Sequence, residues 1–447
     1  MESTHVISIS NEEDSVVPVK EVKTLQFLFR QNKIHSSPAP ITTSYPKDNK
    51  QKKSDHNIRK IIHSIKVGIS LVLVSLLYIL NPLFEQVGEN AMWALMTVIV
   101  IFEFSAGATL GKGFNRGIGT VVGGGLGCLA AILAQCIGGI GSSIIIGTSV
   151  FIFGSVATYF RLVPSIKNKY DYGMMVLILT FNLVVVSGAH PGLKVWDIAR
   201  ERFLIILMGF IVCICVSLFV FPLWASDEFH DSIISRFHDL ANTIEGCLEE
   251  CCKMIDENEN QASDGFSVCK SVLNSKSKDE SLANFAKWEP WHGKFGFCYP
   301  WEKYLKIGEI LRELAAFILA VGRCLQASKQ PTASLRESNL VQLEPCEAIG
   351  SRLAWTLREL GDSMKQMMKC EAEAGTFLAK LKVLRTELSL VISTSMVAQL
   401  ENEEVLAIAS LVFLLMEVVE KVEELVKEVV ELGDIARFRN HVTPVSS

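Results

Sequence analysis

The sequence predicts an all-α membrane protein, with six transmembrane helices followed by a helical domain in the cytosol. Three observations predict it. Hydrophobic residues make up 49% of the 447 positions, and they are concentrated before Trp224. No charged residue occurs between Gly117 and Phe160, a run that holds two crossings at about 20 residues each. After residue 226 the chain is charged, its apolar residues recur at helical spacing, and no apolar run reaches membrane length.

Each element has its own signal. Residues 1–57 contain no apolar signal-peptide core and are rich in Ser, Pro, Lys and Asn, as in a disordered tail. Residues 58–225 form the membrane domain. Its spans are expected at about 61–80, 91–108, 115–134, 143–160, 172–189 and 203–221. Asn81-Pro82 and Pro222 end the first and last, and Gln135 with Gly138, Gly139 and Gly141 divides the uncharged run.

Orientation comes from the Lys/Arg bias of short loops. Lys47, Lys50, Lys52, Lys53, Arg59 and Lys60 precede the first span and place the N-terminus inside. The inner loops then carry Lys112 and Arg116, and Arg161, Lys167 and Lys169; the first outer loop carries Glu85 and Glu89. The last outer loop departs from the rule with Lys194, Arg200 and Arg202, set against Asp197 and Glu201. Two readings apply there: snorkelling of long side chains to headgroups, or attraction of anions. The halves also resemble each other, since Asn115-Arg116-Gly117 opens the third span and Arg200-Glu201-Arg202 the sixth. Three spans per copy make the copies inverted, a plan common among transport proteins.

Residues 226–435 form the cytosolic domain and residues 436–447 a C-terminal tail. Phe229, Ile233, Phe237, Leu240, Ile244 and Leu248 keep helical spacing. Residues 256–280 read as a polar loop, and helices are expected at 303–327, 346–370, 376–396 and 403–432. The last carries the apolar block Val405–Met416, too short to span. It continues through Ile408, Leu411, Leu415, Val418, Val422, Leu425, Val429 and Leu432, a seam that packs on another helix, from the same chain or a second one.

Several motifs bear on chemistry. A-G-A-T-L-G-K-G (Ala106–Gly113) mimics a phosphate-binding loop, which requires G-x-x-x-x-G-K-[ST]. Ala106 replaces the first glycine and Gly113 the hydroxyl residue, and both flanks are membrane segments, so a nucleotide role is rejected. Gly119, Gly123 and Gly127 recur every four residues, a stripe that lets a neighbouring helix approach. Glu103 falls within the second span, where a carboxylate is costly unless paired or wet. It is either an ion-pair partner of Lys112 or Lys66, or a gate or coupling site. Lys66, Lys112, Arg116, Arg161, Arg200 and Arg202 cluster at span ends, and a ring of bases filters anions.

Other chemistries are excluded. There is no acid–base dyad, nucleophile triad or metal cluster, so no enzyme, cofactor or metal is expected. His190 before Pro191 reads as a turn residue. The 12 cysteines include no metal-type CxxC pair; a palmitoyl or zinc role for Cys247, Cys251 and Cys252 is the minor reading beside reduced thiols. A net charge of −5 argues against nucleic acid.

The stretch W-A-L-M-T-V-I-V-I-F-E-F-S-A-G-A-T-L-G-K-G-F-N-R-G-I-G-T (Trp93–Thr120) resembles the second and third spans of the plant aluminium-activated malate transporter family. So do Y-D-Y-G (Tyr170–Gly173) with T-F-N-L behind it, V-F-P-L-W at the end of span six, and W-E-P-W-H-G-K-F (Trp288–Phe295). The resemblance covers about 58 to 435. It implies a homodimeric anion channel passing malate and also chloride, nitrate or sulfate, held in membrane lipid and open to cytosolic kinases. It puts the basic pore residues on Lys66, Arg116, Lys169 and Arg202, with Arg200 beside them. It also implies a gating role for Trp288, Glu289 and Pro290, and a GABA-sensitivity segment over Phe219, Phe221 and Trp224. F-S-A-G-A-T-L, with N-P-L-F and N-A-M-W-A before it, looks most like the quick-activating guard-cell anion channel subgroup. That subgroup implies the plasma membrane, with the vacuolar membrane as alternative, and gating by voltage and malate. A proton-coupled organic-acid exporter using Glu103, and a non-conducting scaffold, are the competing functions.

Overall fold

A computed structural model describes residues 48–79, 92–188, 195–252, 260–296, 299–327, 336–397 and 402–439. The loop acids Glu85 and Glu89, the Asn81-Pro82 stop, the His190-Pro191 turn, Lys194, most of the N-terminal tail and the end of the C-terminal tail lie outside these residues. The chain divides into two units, Met1–Ile58 and Arg59–Ser447. Of the first, only the opening turns of α1 are described. The second holds the rest of α1 and every other helix.

Thirteen helices and no strand occur among the described residues. In chain order they are α1 Asp48–Ile79, α2 Met92–Ile101, α3 Ala106–Ile137, α4 Gly139–Leu162, α5 Pro164–Ser187, α6 Val195–Phe219, α7 Ala225–Cys252, α8 Asn260–Leu273, α9 Lys276–Ala286, α10 Trp301–Ala327, α11 Arg336–Gln366, α12 Glu371–Val397 and α13 Asn402–Ile435. Within α1 and in α3, α4, α5 and α6, five stretches are long and apolar enough to cross a membrane.

The expected second span is corrected. Helix α2 has 10 residues, about 15 Å at 1.5 Å per residue, which is half a crossing. The chain breaks at Phe102–Ser105 and restarts as α3, 32 residues long. The stretch around Lys112 and Arg116, expected to be a turn, is therefore helix. Local hydrogen bonds explain the shift. Ser105 Oγ accepts the Ala108 amide at 3.3 Å and caps α3, satisfying a donor that a helix start leaves free. The Glu103 amide donates to Thr109 Oγ1 at 3.1 Å, which closes the break. The break between α3 and α4 falls at Gly138 and Gly139, whose φ values of 65° and 57° suit glycine.

Helix α5 runs beside α3 in the same direction, and α2 beside α6. A Cβ added at Gly119 or Gly123 would lie 2.6 or 2.5 Å from the carbonyl oxygens of Gly173 and Leu177, and one at Gly127 2.9 Å from Val184. Their missing side chains are what let α3 and α5 touch. Gly209 of α6 does the same against the Ala94 carbonyl of α2, at 3.0 Å. Helices α3 and α6 are antiparallel neighbours. The first amide of α3, at Ala106, donates to Leu223 just past the end of α6 at 3.0 Å, and the Phe210 ring occupies the space left by Gly113. Helices α1, α2 and α6 share an apolar cluster of Val74, Ala94, Val98, Phe102, Ile205, Cys213 and Val216.

From α7 onward the helices are amphipathic and enclose one core. Phe229, Ile233, Phe237, Leu240, Ile244 and Leu248 of α7 are all buried in it. The region expected as a loop, 256–280, is instead mostly helical, as α8 and the first part of α9. Most of its described polar side chains are exposed, while Cys269, Val272 and Asp279 are buried, as are Leu282, Ala283 and Ala286 further along α9; Asp279 is held by Arg236 and Arg312. The seam of α13 finds its partners within the chain: Leu415, Val418, Val422, Leu425, Val429 and Leu432 are buried where α13 packs on α10 and α12.

Candidate functional site

The basic residues fall into two groups. Lys112 forms an ion pair with Glu103 across the break, and Arg161 grips Asp171 with two hydrogen bonds of 2.6 and 3.2 Å. These charges are already matched by acids. Lys66, Arg116 and Arg202 differ. Lys66 is fully buried in α1, and its Nζ has no hydrogen-bond partner among the described residues. Arg116 is buried in α3, donates from Nη1 to the Tyr172 hydroxyl at 2.8 Å, and keeps a buried Nε without a partner among the described residues. Arg202 lies over the Trp93 ring, 4.3 Å from its centroid, with a buried Nη1 that has no partner among the described residues. Buried charged donors without acceptors are costly in an apolar bundle; an anion or water would satisfy them. Arg200 is exposed, and Lys169 falls near the start of α5.

Arg116 and Arg202 occupy matching places. Each lies on a helix, α3 or α6, that packs through glycine on a parallel neighbour, α5 or α2. Each is held by an aromatic residue of that neighbour, Tyr172 or Trp93. Seven residues further along, Gly123 and Gly209 each approach a backbone carbonyl of the neighbour. Lys112 and Arg161 are therefore balanced by acids, whereas neither arginine of the pair forms an ion pair with an acid among the described residues.

A second assembly joins the apolar helices to the amphipathic ones. Glu289, with 2% of its side chain exposed, accepts the amides of Ala225 and Ser226 at 2.6 and 3.1 Å and the Ser226 hydroxyl at 2.6 Å. It caps α7 from outside the helix, with its negative charge at the positive helix end. Burial pushes its carboxyl above the usual range, and the three hydrogen bonds act the other way. Pro290 accepts a hydrogen bond from His292 Nδ1 at 2.7 Å, and His292 stacks on Trp224 at 3.7 Å. Trp288 packs on Phe114 at 5.2 Å and against Gly111. The space that a Cβ at Gly107 would take is filled by the Phe285 carbonyl and by Glu289 Cγ. Phe219 and Phe221 are exposed beside this joint, and Phe221 has a left-handed φ of 46°.

Sequence reasoning missed the docking role of Gly107 and Gly111, and the parts played by Ser226 and His292. A signal for the glycines was present. Positions 107, 111, 119, 123 and 127 lie on one four-residue repeat, whose first two members meet the W-E-P segment and whose last three meet α5. Among the described residues, no group of three or more His, Cys, Asp or Glu side chains is placed to hold a metal ion.

The sequence profile described as "Aluminium activated malate transporter" matches residues 52–398, most of the chain. The chain belongs to the aluminium-activated malate transporter family. Relatives from Arabidopsis thaliana include aluminum-activated malate transporter 13, 42% identical over 322 residues, which cover 70% of this chain and 59% of that protein. Aluminum-activated malate transporter 12 is 41% identical over 319 residues, covering 70% and 56%, and aluminum-activated malate transporter 2 is 35% identical over 393 residues, covering 87% and 77%. The chain thus spans less than two thirds of the length of the first two. All three relatives are named as transporters, and the long apolar helices agree with an integral membrane protein of this family.

Proposed function

We propose that this family member is a passive anion channel for malate and for chloride, nitrate or sulfate. The arginine pair carries the proposal. Arg116 and Arg202 each present a buried, unpartnered N–H within an apolar bundle, at equivalent positions of two helix pairs that run in opposite directions. That equivalence supports an inverted repeat, with the pathway between its halves and a base entering from each side. Such bases lower the cost of bringing an anion out of water, and binding stays weak enough for release. Lys66 is a third contact. The break at Phe102–Ser105 leaves the second of six spans as a half-length helix, an arrangement tolerated where the backbone beyond it lines a cavity or is buried in protein. We place the amphipathic helices in the cytosol, where kinases would reach them, and the protein in the plasma membrane. The exposed apolar side chains of α4 face lipid or a second subunit. Trp288, Glu289 and Pro290 serve as the joint through which voltage or malate acts on the pathway, with Phe219–Trp224 alongside.

Patch-clamped cells expressing Arg116→Ala or Arg202→Ala test the reading. Malate current should fall in both at normal surface expression; unchanged current and selectivity would overturn the arginine pathway. In the competing reading, a proton-coupled exporter, Glu103 must take and release a proton. Its ion pair with Lys112 supports a fixed charge instead.

A further inference from the structure

Ser226 has one hydroxyl proton and two neighbours that can accept it. Its Oγ lies 2.6 Å from Glu289 Oε2 and 3.0 Å from His292 Nε2. The other ring nitrogen of His292 lies 2.7 Å from the Pro290 carbonyl oxygen, which only accepts, so Nδ1 carries a proton. With a neutral imidazole, Nε2 is then a lone pair. If Ser226 donates to Glu289, that lone pair faces another lone pair at 3.0 Å.

Two arrangements satisfy every group, and both contain one more proton. In the first, His292 is an imidazolium: Nε2–H donates to Ser226 Oγ, and Ser226 donates to the Glu289 carboxylate. In the second, the proton sits on Glu289, whose Oε2–H donates to Ser226 Oγ, while Ser226 donates to neutral Nε2. Removing the proton leaves Ser226 able to serve only one side of the joint.

We propose that Glu289, Ser226 and His292 form a binding site for one exchangeable proton, which latches the W-E-P segment to the start of α7. His292 is its entry. Its side chain keeps 13% of its surface exposed, against 2% for Glu289, so water reaches the imidazole first. Charged groups of both signs surround it. Glu289 and Asp227 of α7 attract a positive ring, Asp231 lies beside Asp227, and Lys294 opposes, acting also on His230. The Trp224 ring lies parallel to the imidazole within 12°, a face that favours a cation. Burial raises both the Glu289 and Asp227 carboxyls, so the second arrangement is accessible too. The latch stands independently of what crosses the membrane.

The test uses the purified full chain in detergent and its tryptophan emission. A protonated imidazole stacked on an indole quenches it, so Trp224 should brighten in a single step as pH rises and the site loses its proton. The step should vanish in Trp224→Phe and in His292→Gln. Ser226→Ala should lower its midpoint by about one pH unit, the equivalent of one hydrogen bond to a charged group. Identical pH profiles in wild type and Trp224→Phe would overturn the proposal. Should Trp224→Phe fail to fold, a step that survives in His292→Gln, or a midpoint unmoved in Ser226→Ala, would overturn it as well.

Discussion

Arg116 donates a hydrogen bond from Nη1 to the hydroxyl of Tyr172, 2.8 Å away on the neighbouring helix. The bond fixes the guanidinium while leaving Nε free for another acceptor. Tyr172→Phe removes that single bond and keeps the ring. A hydrogen bond to a charged group contributes about 1.5–3 kcal/mol, part of which water recovers. Malate current relative to chloride current should therefore fall about three- to tenfold, with expression unchanged. Trp93→Leu should act similarly through Arg202, by removing the ring beneath it. Current ratios measured with malate and chloride on opposite sides check both.

The glycine stripe of α3 separates close packing from helix propensity. At Gly123 an added Cβ would meet the Leu177 carbonyl at 2.5 Å, whereas at Gly117 and Gly125 it would meet nothing within 4 Å. Gly123→Ala should destabilise by about 1–3 kcal/mol through overpacking. Gly117→Ala and Gly125→Ala should be neutral or gain up to about 1 kcal/mol from helix propensity. Gly107→Ala should act at a distance by pushing Phe285 and Glu289 away, loosening the W-E-P segment without touching α5. Thermal unfolding of the purified variants orders them.

The apolar helices were legible because membrane transfer selects composition over about 20 residues, and the seam of α13 because it repeats. The true start of α3 was not. A-G-A-T-L-G-K-G is turn-like by composition, and what makes it helical is Ser105 at the cap together with Phe285, Trp288 and Glu289, far away in sequence, filling the glycine notches. For the same reason the bases looked alike. Only tertiary contacts separate Lys112 and Arg161, which are paired with acids, from Lys66, Arg116 and Arg202, which are not. Residues 256–280 hid two amphipathic helices behind a polar majority, since a few apolar residues per turn suffice to dock a helix.

Glu103 discriminates a channel from a proton-coupled carrier. Its partner is Lys112, and both side chains are partly exposed, so Glu103→Gln frees a lysine without stranding a buried charge. A fixed structural acid predicts that malate current persists, altered in size at most, with a reversal potential that follows the anion gradient and ignores pH. A relay predicts that transport stops and that wild-type reversal shifts with the proton gradient. Recording wild type and Glu103→Gln under opposed pH and malate gradients separates these outcomes.

His230 gives the helical domain a defined acid sensitivity. It is buried, its Nδ1 lies 2.9 Å from the Tyr304 hydroxyl, and its Nε2 has no partner among the described residues. Burial pulls its pKa down to about 4, helped by Lys294, from an ordinary value of 6.5. Between these values the unfolded chain binds more protons than the folded one, so stability is full above pH 6.5 and is lost as pH falls toward 4. At pH 5 the loss from this residue is about 2 kcal/mol relative to pH 7. His230→Gln cannot take up a proton, so it should be less stable at pH 7, where it forfeits the fitted ring, yet lose less on acidification. Denaturant midpoints at about pH 7, 6 and 5 should converge for the two proteins. Parallel lines would place the acid sensitivity in other groups than His230.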